Sequence, residues 1–105
     1  MTYASLIDLL RQLHTDSYDT AVPAGLTRYI VAHTYGGNSV QAGDRNVWDF
    51  LRVQIDVYTQ SPEDPLPTLV RELLQAWCCP YLWVDSYYDD ETALHRTILQ
   101  LEVVA

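Results

Sequence analysis

The sequence predicts an α+β domain in two layers: element order α-β-β-α-β-β, with both helices on one face of a four-stranded, mostly antiparallel sheet. Three observations predict it. Two segments carry one apolar stripe each at helical spacing. Two others alternate apolar and polar residues with a period of two. The chain has 105 residues, enough to bury roughly two-thirds of its unfolded surface in one core but too few for two cores. Residues 1–105 therefore read as a single domain, with no internal repeat, low-complexity tract or separating linker.

The first helix is expected from Tyr3 to His14. Thr2 is placed to cap it, and Tyr3, Leu6, Leu10 and Leu13 recur at spacings of three and four, widened by Ile7 and Leu9. The segment from Thr15 to Gly25 is turn-forming. Arg28–Tyr35 is rich in β-branched and aromatic residues and reads as a strand. Gly36–Asp49 is polar, contains three glycines and reads as a long, mobile loop. Within Phe50–Gln60, Leu51, Val53, Ile55 and Val57 alternate with Arg52, Gln54, Asp56 and Tyr58, the clearest strand in the chain. Asp64 and Pro65 signal the start of a second helix, whose stripe is Leu66, Leu69, Val70, Leu73, Leu74 and Trp77. Leu73 and Ile55 are expected in the core. Pro80 stops the helix, Tyr81–Tyr88 reads as a third strand, and Thr92–Val104 as a fourth. The second and fourth strands, having the longest patterns, are expected at the centre of the sheet.

Composition narrows function. Fourteen acidic residues face six basic ones, all arginine, for a net charge of −8. Such a chain lacks the clustered cations that hold nucleic acid by its phosphates, and an acidic membrane surface repels it. No apolar run approaches the ~18 residues of a membrane helix. The N-terminal segment carries acid and no basic stretch, so it reads as a mature cytosolic start. Cys78 and Cys79 are adjacent, which suits a buried helix end better than a disulfide.

The chemistry of catalysis is missing from the sequence. It holds no phosphate loop, no GxGxxG, no CxxC and no HExxH. His14, His33 and His95 fall on three different elements and read as surface or half-buried residues. Asp89, Asp90 and Glu91 read as a solvated turn. No catalytic residue, cofactor site or metal site is expected, and the chain is expected not to be an enzyme.

Two features rise above this background. One is the polar sheet face, with Arg52 and Asp56 on one strand and Arg96 and Glu102 on another. Neither helix reaches that face if both pack on the opposite one. The other is the excess of amphipathic aromatics, eight Tyr and three Trp against one Phe, a composition favoured at interfaces. Tyr35, Trp48 and Tyr58 flank or neighbour the glycine-rich segment. Subunit or partner contacts are expected at Tyr35, Arg45, Trp48, Asp49, Arg52 and Asp56, with Arg45 and Trp48 as anchors because Arg and Trp dominate interface energies.

The run from His33 to Leu74 resembles the middle of the tail terminator proteins of long-tailed bacteriophages, also called tail completion or head–tail joining proteins. In these, a strand ending in Tyr precedes a polar segment, a strand of the form Val53-Gln54-Ile55-Asp56-Val57-Tyr58, and an acidic, proline-bearing turn like Ser61-Pro62-Glu63-Asp64 leading into a helix. The length and element order match as well. Asp16–Gly25 and Cys78-Cys79 have no counterpart in that pattern. The resemblance implies a structural virion protein, assembled in the bacterial host cytoplasm and located at the head–tail junction. It would form a ring of copies of itself, a hexamer in this family, on the tail tube protein and present a surface to the head connector. DNA would pass through without specific binding. An acidic lumen fits that passage, because it repels phosphate. Two other classes compete: an enzyme using the open sheet face, and a small acidic adaptor or immunity-like protein that binds a basic protein partner.

Overall fold

A computed structural model describes the backbone of residues 1–42 and 45–104, and the side chains of these outside 38–49. Seven elements follow one another: α1 (Tyr3–Leu13), β1 (Ser17–Asp19), β2 (Tyr29–Ala42), β3 (Arg45–Thr59), α2 (Leu66–Ala76), β4 (Tyr81–Asp89) and β5 (Leu94–Val104). The strands form one mixed sheet in the order β1-β2-β3-β5-β4. β1 runs parallel to β2, and every other neighbouring pair is antiparallel. The class is the expected α+β, but the sheet has five strands instead of four. β3 and β5, the strands with the cleanest alternation, lie inside it.

α1 starts where its sequence says it should. Thr2 and Ser5 form a reciprocal capping box, which satisfies amide donors that a helix start leaves without partners. The helix ends at Leu13, and the Ser17 hydroxyl then donates to the Leu10 carbonyl, 3.0 Å, and the His14 carbonyl, 2.6 Å. This turn brings Asp16 beside β2, where the Ile30 amide bonds the Asp16 carbonyl, and β1 follows. Three residues of polar and turn-forming type show no periodicity, which is why this strand was hidden within a segment that reads as turn.

The Gly36–Asp49 segment corrects a second expectation. β2 continues to Ala42 and β3 begins at Arg45, so the segment is mostly a β-hairpin and not a loop. A register shift lies between Thr34 and Gly36. At Gly37 an added Cβ would stand 2.5 Å from the Phe50 carbonyl oxygen, so only glycine lets the two strands approach. Pairing of β3 with β5 stops at Phe50 with Val104. Beyond that point no third strand imposes an apolar face on the hairpin, and the sequence shows none.

α2 begins at Leu66. Asp64, one residue before the cap position, accepts the Leu66 amide at 2.9 Å and receives two bonds from Arg28, at 2.8 and 3.0 Å. The Arg28 guanidinium holds the Asp64 carboxyl below its ordinary range. The helix closes with paired bonds from Cys78 N–H to the Gln75 carbonyl and from Cys79 N–H to the Leu74 carbonyl. Cys78 takes a left-handed conformation, φ 52°, and Cys79 packs into the core beside Leu74. The adjacent cysteines thus close a helix end, as expected, but only Cys79 is buried; Cys78 is exposed. Burial pushes the Cys79 thiol up.

The main core lies between the helices and one sheet face. Leu6, Ile7 and Leu10 of α1 and Leu66, Val70 and Leu74 of α2 pack on Ile30, Ala32, Val53, Ile55, Val57, Leu99, Leu101 and Val103. The predicted α2 stripe is wider than the buried one. Leu73 is only partly buried, and Leu69 and Trp77 are exposed, Trp77 at 58%. A helix laid on a flat sheet buries the middle of its stripe and leaves the flanks wet.

Candidate functional site

The alternation of β3 and β5 places Arg52, Gln54, Asp56 and Tyr58 opposite Glu102, Gln100, Ile98 and Arg96 on the face away from the helices. The four charged residues singled out from sequence do come together there, in two ion pairs of different character. Arg52 and Glu102 meet at 3.8 Å, with side chains 46% and 54% exposed. Arg96 and Asp56 meet at 2.8 Å, and Asp56 is 4% exposed.

The second pair belongs to a connected network. Gln100 donates to Gln54 at 3.3 Å, Gln54 donates to Asp56 at 3.0 Å, and Arg96 bonds Asp56 through Nη2 and the Tyr87 hydroxyl through Nη1. The Arg96 Nε–H is buried and has no acceptor among the described residues. Arg96 also lies over the Tyr58 ring, 5.7 Å from its centre, and Tyr58 stacks on Tyr29 at 4.7 Å. Burial pushes the Tyr58 hydroxyl up to about 12. Tyr29, Val31, Tyr58 and Leu94 form a second small core, covered by Tyr18, Val22 and Leu26. The polar face is therefore open at only one end. The segment between β1 and β2 closes the other.

At the open end, Tyr35, Phe50, Arg52, Leu82, Gln100 and Glu102 line a shallow groove of about 520 Å³. Tyr35 is 47% exposed. The predicted contact residues Tyr35 and Arg52 thus share one surface. Asp56 does not join them, since it is buried and bonded internally. Arg45, Trp48 and Asp49 lie outside the residues whose side chains are described. Among the described residues no three metal-capable side chains cluster, and no helix is long and apolar enough to cross a membrane.

One feature was missed from sequence. β4 is a terminal strand of the sheet, and Leu82, Trp83, Val84, Tyr87 and Tyr88 along it are all exposed. On the helix side Arg71 lies over Trp83, 5.5 Å from the ring centre, and Gln75 bonds the Tyr81 hydroxyl. The lack of clean alternation from Tyr81 to Tyr88 was the available signal, because a strand with one buried face would show one.

Together these elements define a two-layer α+β domain whose exposed features are a half-open polar sheet face and an open sheet edge. No known protein family matches the chain, and no curated protein matches it. Among solved structures it is similar to a chain of the virion of a native gene transfer agent particle, with 14% identity over 91% of this chain and 84% of that one, and a TM-score of 0.46. A likeness of this size carries no argument about function.

Proposed function

We propose that the protein is a non-enzymatic structural subunit that closes a phage-type tail tube as a ring of its own copies and offers a joining surface to the head connector. The reading rests on the resemblance of residues 33–74 to tail terminators. One observation carries it further: the strand holding the resembling motif, β3, lies inside the sheet, with its apolar side against the helices and Arg52 facing the open groove with Tyr35 and Glu102. That surface is polar, paired in charge and edged by aromatics, the makeup of a contact between proteins that are each soluble before assembly. The net charge of −8 fits a ring through which a polyanion moves without sticking.

A lysate lacking this protein is expected to hold full heads and separate tails, many of them overlong. Normal infectious particles from such a lysate would overturn the reading.

A further inference from the structure

We infer that the open edge of β4 is a docking site for an extended, basic segment of another protein, which adds to the sheet as a further strand. Three observations carry this. The first is backbone chemistry. β4 pairs with β5 on one side only, so its outer edge presents amide and carbonyl groups that an incoming strand can bond.

The second is the side-chain pattern along that edge. Leu82 on the open face and Val84 at the register shift between Trp83 and Asp85 are exposed. So are Tyr87 and Tyr88, farther along the strand. By register Leu82, Asp85 and Tyr87 look to the open face, and Trp83 and Tyr88 to the helix side. An added strand with apolar residues at alternate positions would therefore cover Trp83 and Tyr88 and turn its other row toward Asp85.

The third is charge, and it selects the occupant. The stretch Tyr81–Glu91 contains Asp85, Asp89, Asp90 and Glu91 and no basic residue. Two arginines from neighbouring elements touch the strand, Arg96 at the Tyr87 hydroxyl and Arg71 over Trp83, but neither pairs with these carboxylates. Arg96 is matched to Asp56, and Asp85 and Asp89 accept only the backbone N–H groups of Ser86 and Glu91 among the described residues. A second copy is a poor occupant. Antiparallel pairing of two β4 strands centred on Asp85 sets Asp85 against Asp85. Centring on Tyr87 sets Asp85 against Asp89. Like charges directly across a strand pair oppose it, and two chains of charge −8 repel at longer range. A strand carrying Lys or Arg between apolar residues turns the same carboxylates into attractions. This docking site does not depend on the ring reading, since it needs no assembled copies.

The test uses the full chain and an acetylated octapeptide of alternating Arg and Val, with two controls. An Arg-Pro octapeptide has the same charge but lacks the N–H at every second residue and is held near polyproline geometry, so it fits a strand ladder poorly, and a Glu-Val octapeptide has the opposite charge. Titration by fluorescence anisotropy is expected to show binding of the Arg-Val peptide, with the Arg-Pro peptide weaker by about tenfold or more. Hydrogen exchange on the complex is expected to slow between Leu82 and Tyr88. In a D85K/D90K variant the preference should invert toward the Glu-Val peptide. Should that variant fail to fold, D85N/D90N is expected to weaken Arg-Val binding by about tenfold. No binding of the Arg-Val peptide overturns the proposal. So does equal binding of the Arg-Pro peptide, protection that appears away from β4, or an affinity indifferent to the carboxylates.

Discussion

Arg96→Met is expected to destabilise the fold by roughly 3–5 kcal/mol, the usual cost of leaving a buried charge without its partner. Asp56 is 4% exposed, and among the described residues its carboxylate is bonded, besides Arg96, by Gln54 alone. Removing the guanidinium leaves a carboxylate that can neither reach bulk water nor find a second cation. The Arg96 contact with Tyr58 and the bond to the Tyr87 hydroxyl are lost with it. Urea unfolding with circular dichroism measures the change. The double variant Asp56→Leu with Arg96→Met is expected to recover most of the loss, because it removes both charges together. The contrast lies one pair along the same face. Arg52→Ala, which breaks the exposed contact with Glu102 at 3.8 Å, is expected to cost no more than about 1 kcal/mol. Equal losses for Arg96→Met and Arg52→Ala would show that burial does not separate the two pairs.

Ile55→Ala and Leu74→Ala are each expected to cost roughly 2–5 kcal/mol, through lost burial and the cavity left behind. Both side chains are fully buried, one on the inner strand β3 and one on α2, and they face the same core. Leu73→Ala is the internal control. Its side chain is only partly buried at the edge of that core, so its cost is expected to fall below that of Leu74→Ala in the same unfolding experiment. The reverse order would mean that α2 lies on the sheet rotated by about one residue.

The same pair of leucines shows how far periodicity reads a fold. A stripe of Leu66, Leu69, Val70, Leu73, Leu74 and Trp77 fixes that α2 is a helix with one apolar side. It does not fix where the centre of that side meets the sheet, because the sheet residues of the same core are distant in sequence. β5 and the part of β3 from Phe50 onward were legible, since a strand buried on one face must alternate. β1 and the outer part of the β2–β3 hairpin were not. β1 is held by Ser17 and by backbone pairing with residues 30–32, and neither leaves a pattern in the sequence.

The site was half legible for a related reason. A period of two places Arg52, Asp56, Arg96 and Glu102 on one face, and they are there. Periodicity cannot say that Tyr18, Val22 and Leu26 pack over one end of that face, or that Asp56 is buried and bonded within the protein by Arg96 and Gln54. For the exposed strand β4 the sequence held one signal, the missing alternation from Tyr81 to Tyr88, but its place at the end of the sheet follows only from the strand order.

The central claim, a ring-forming subunit that closes a tail tube, is tested most directly by negative-stain electron microscopy of the purified protein with tubes of its cognate tail tube protein. The account predicts a ring of density at tube ends and tubes that stop lengthening once the protein is present. Tubes that keep growing with bare ends, beside a protein that stays monomeric at every concentration, would contradict it.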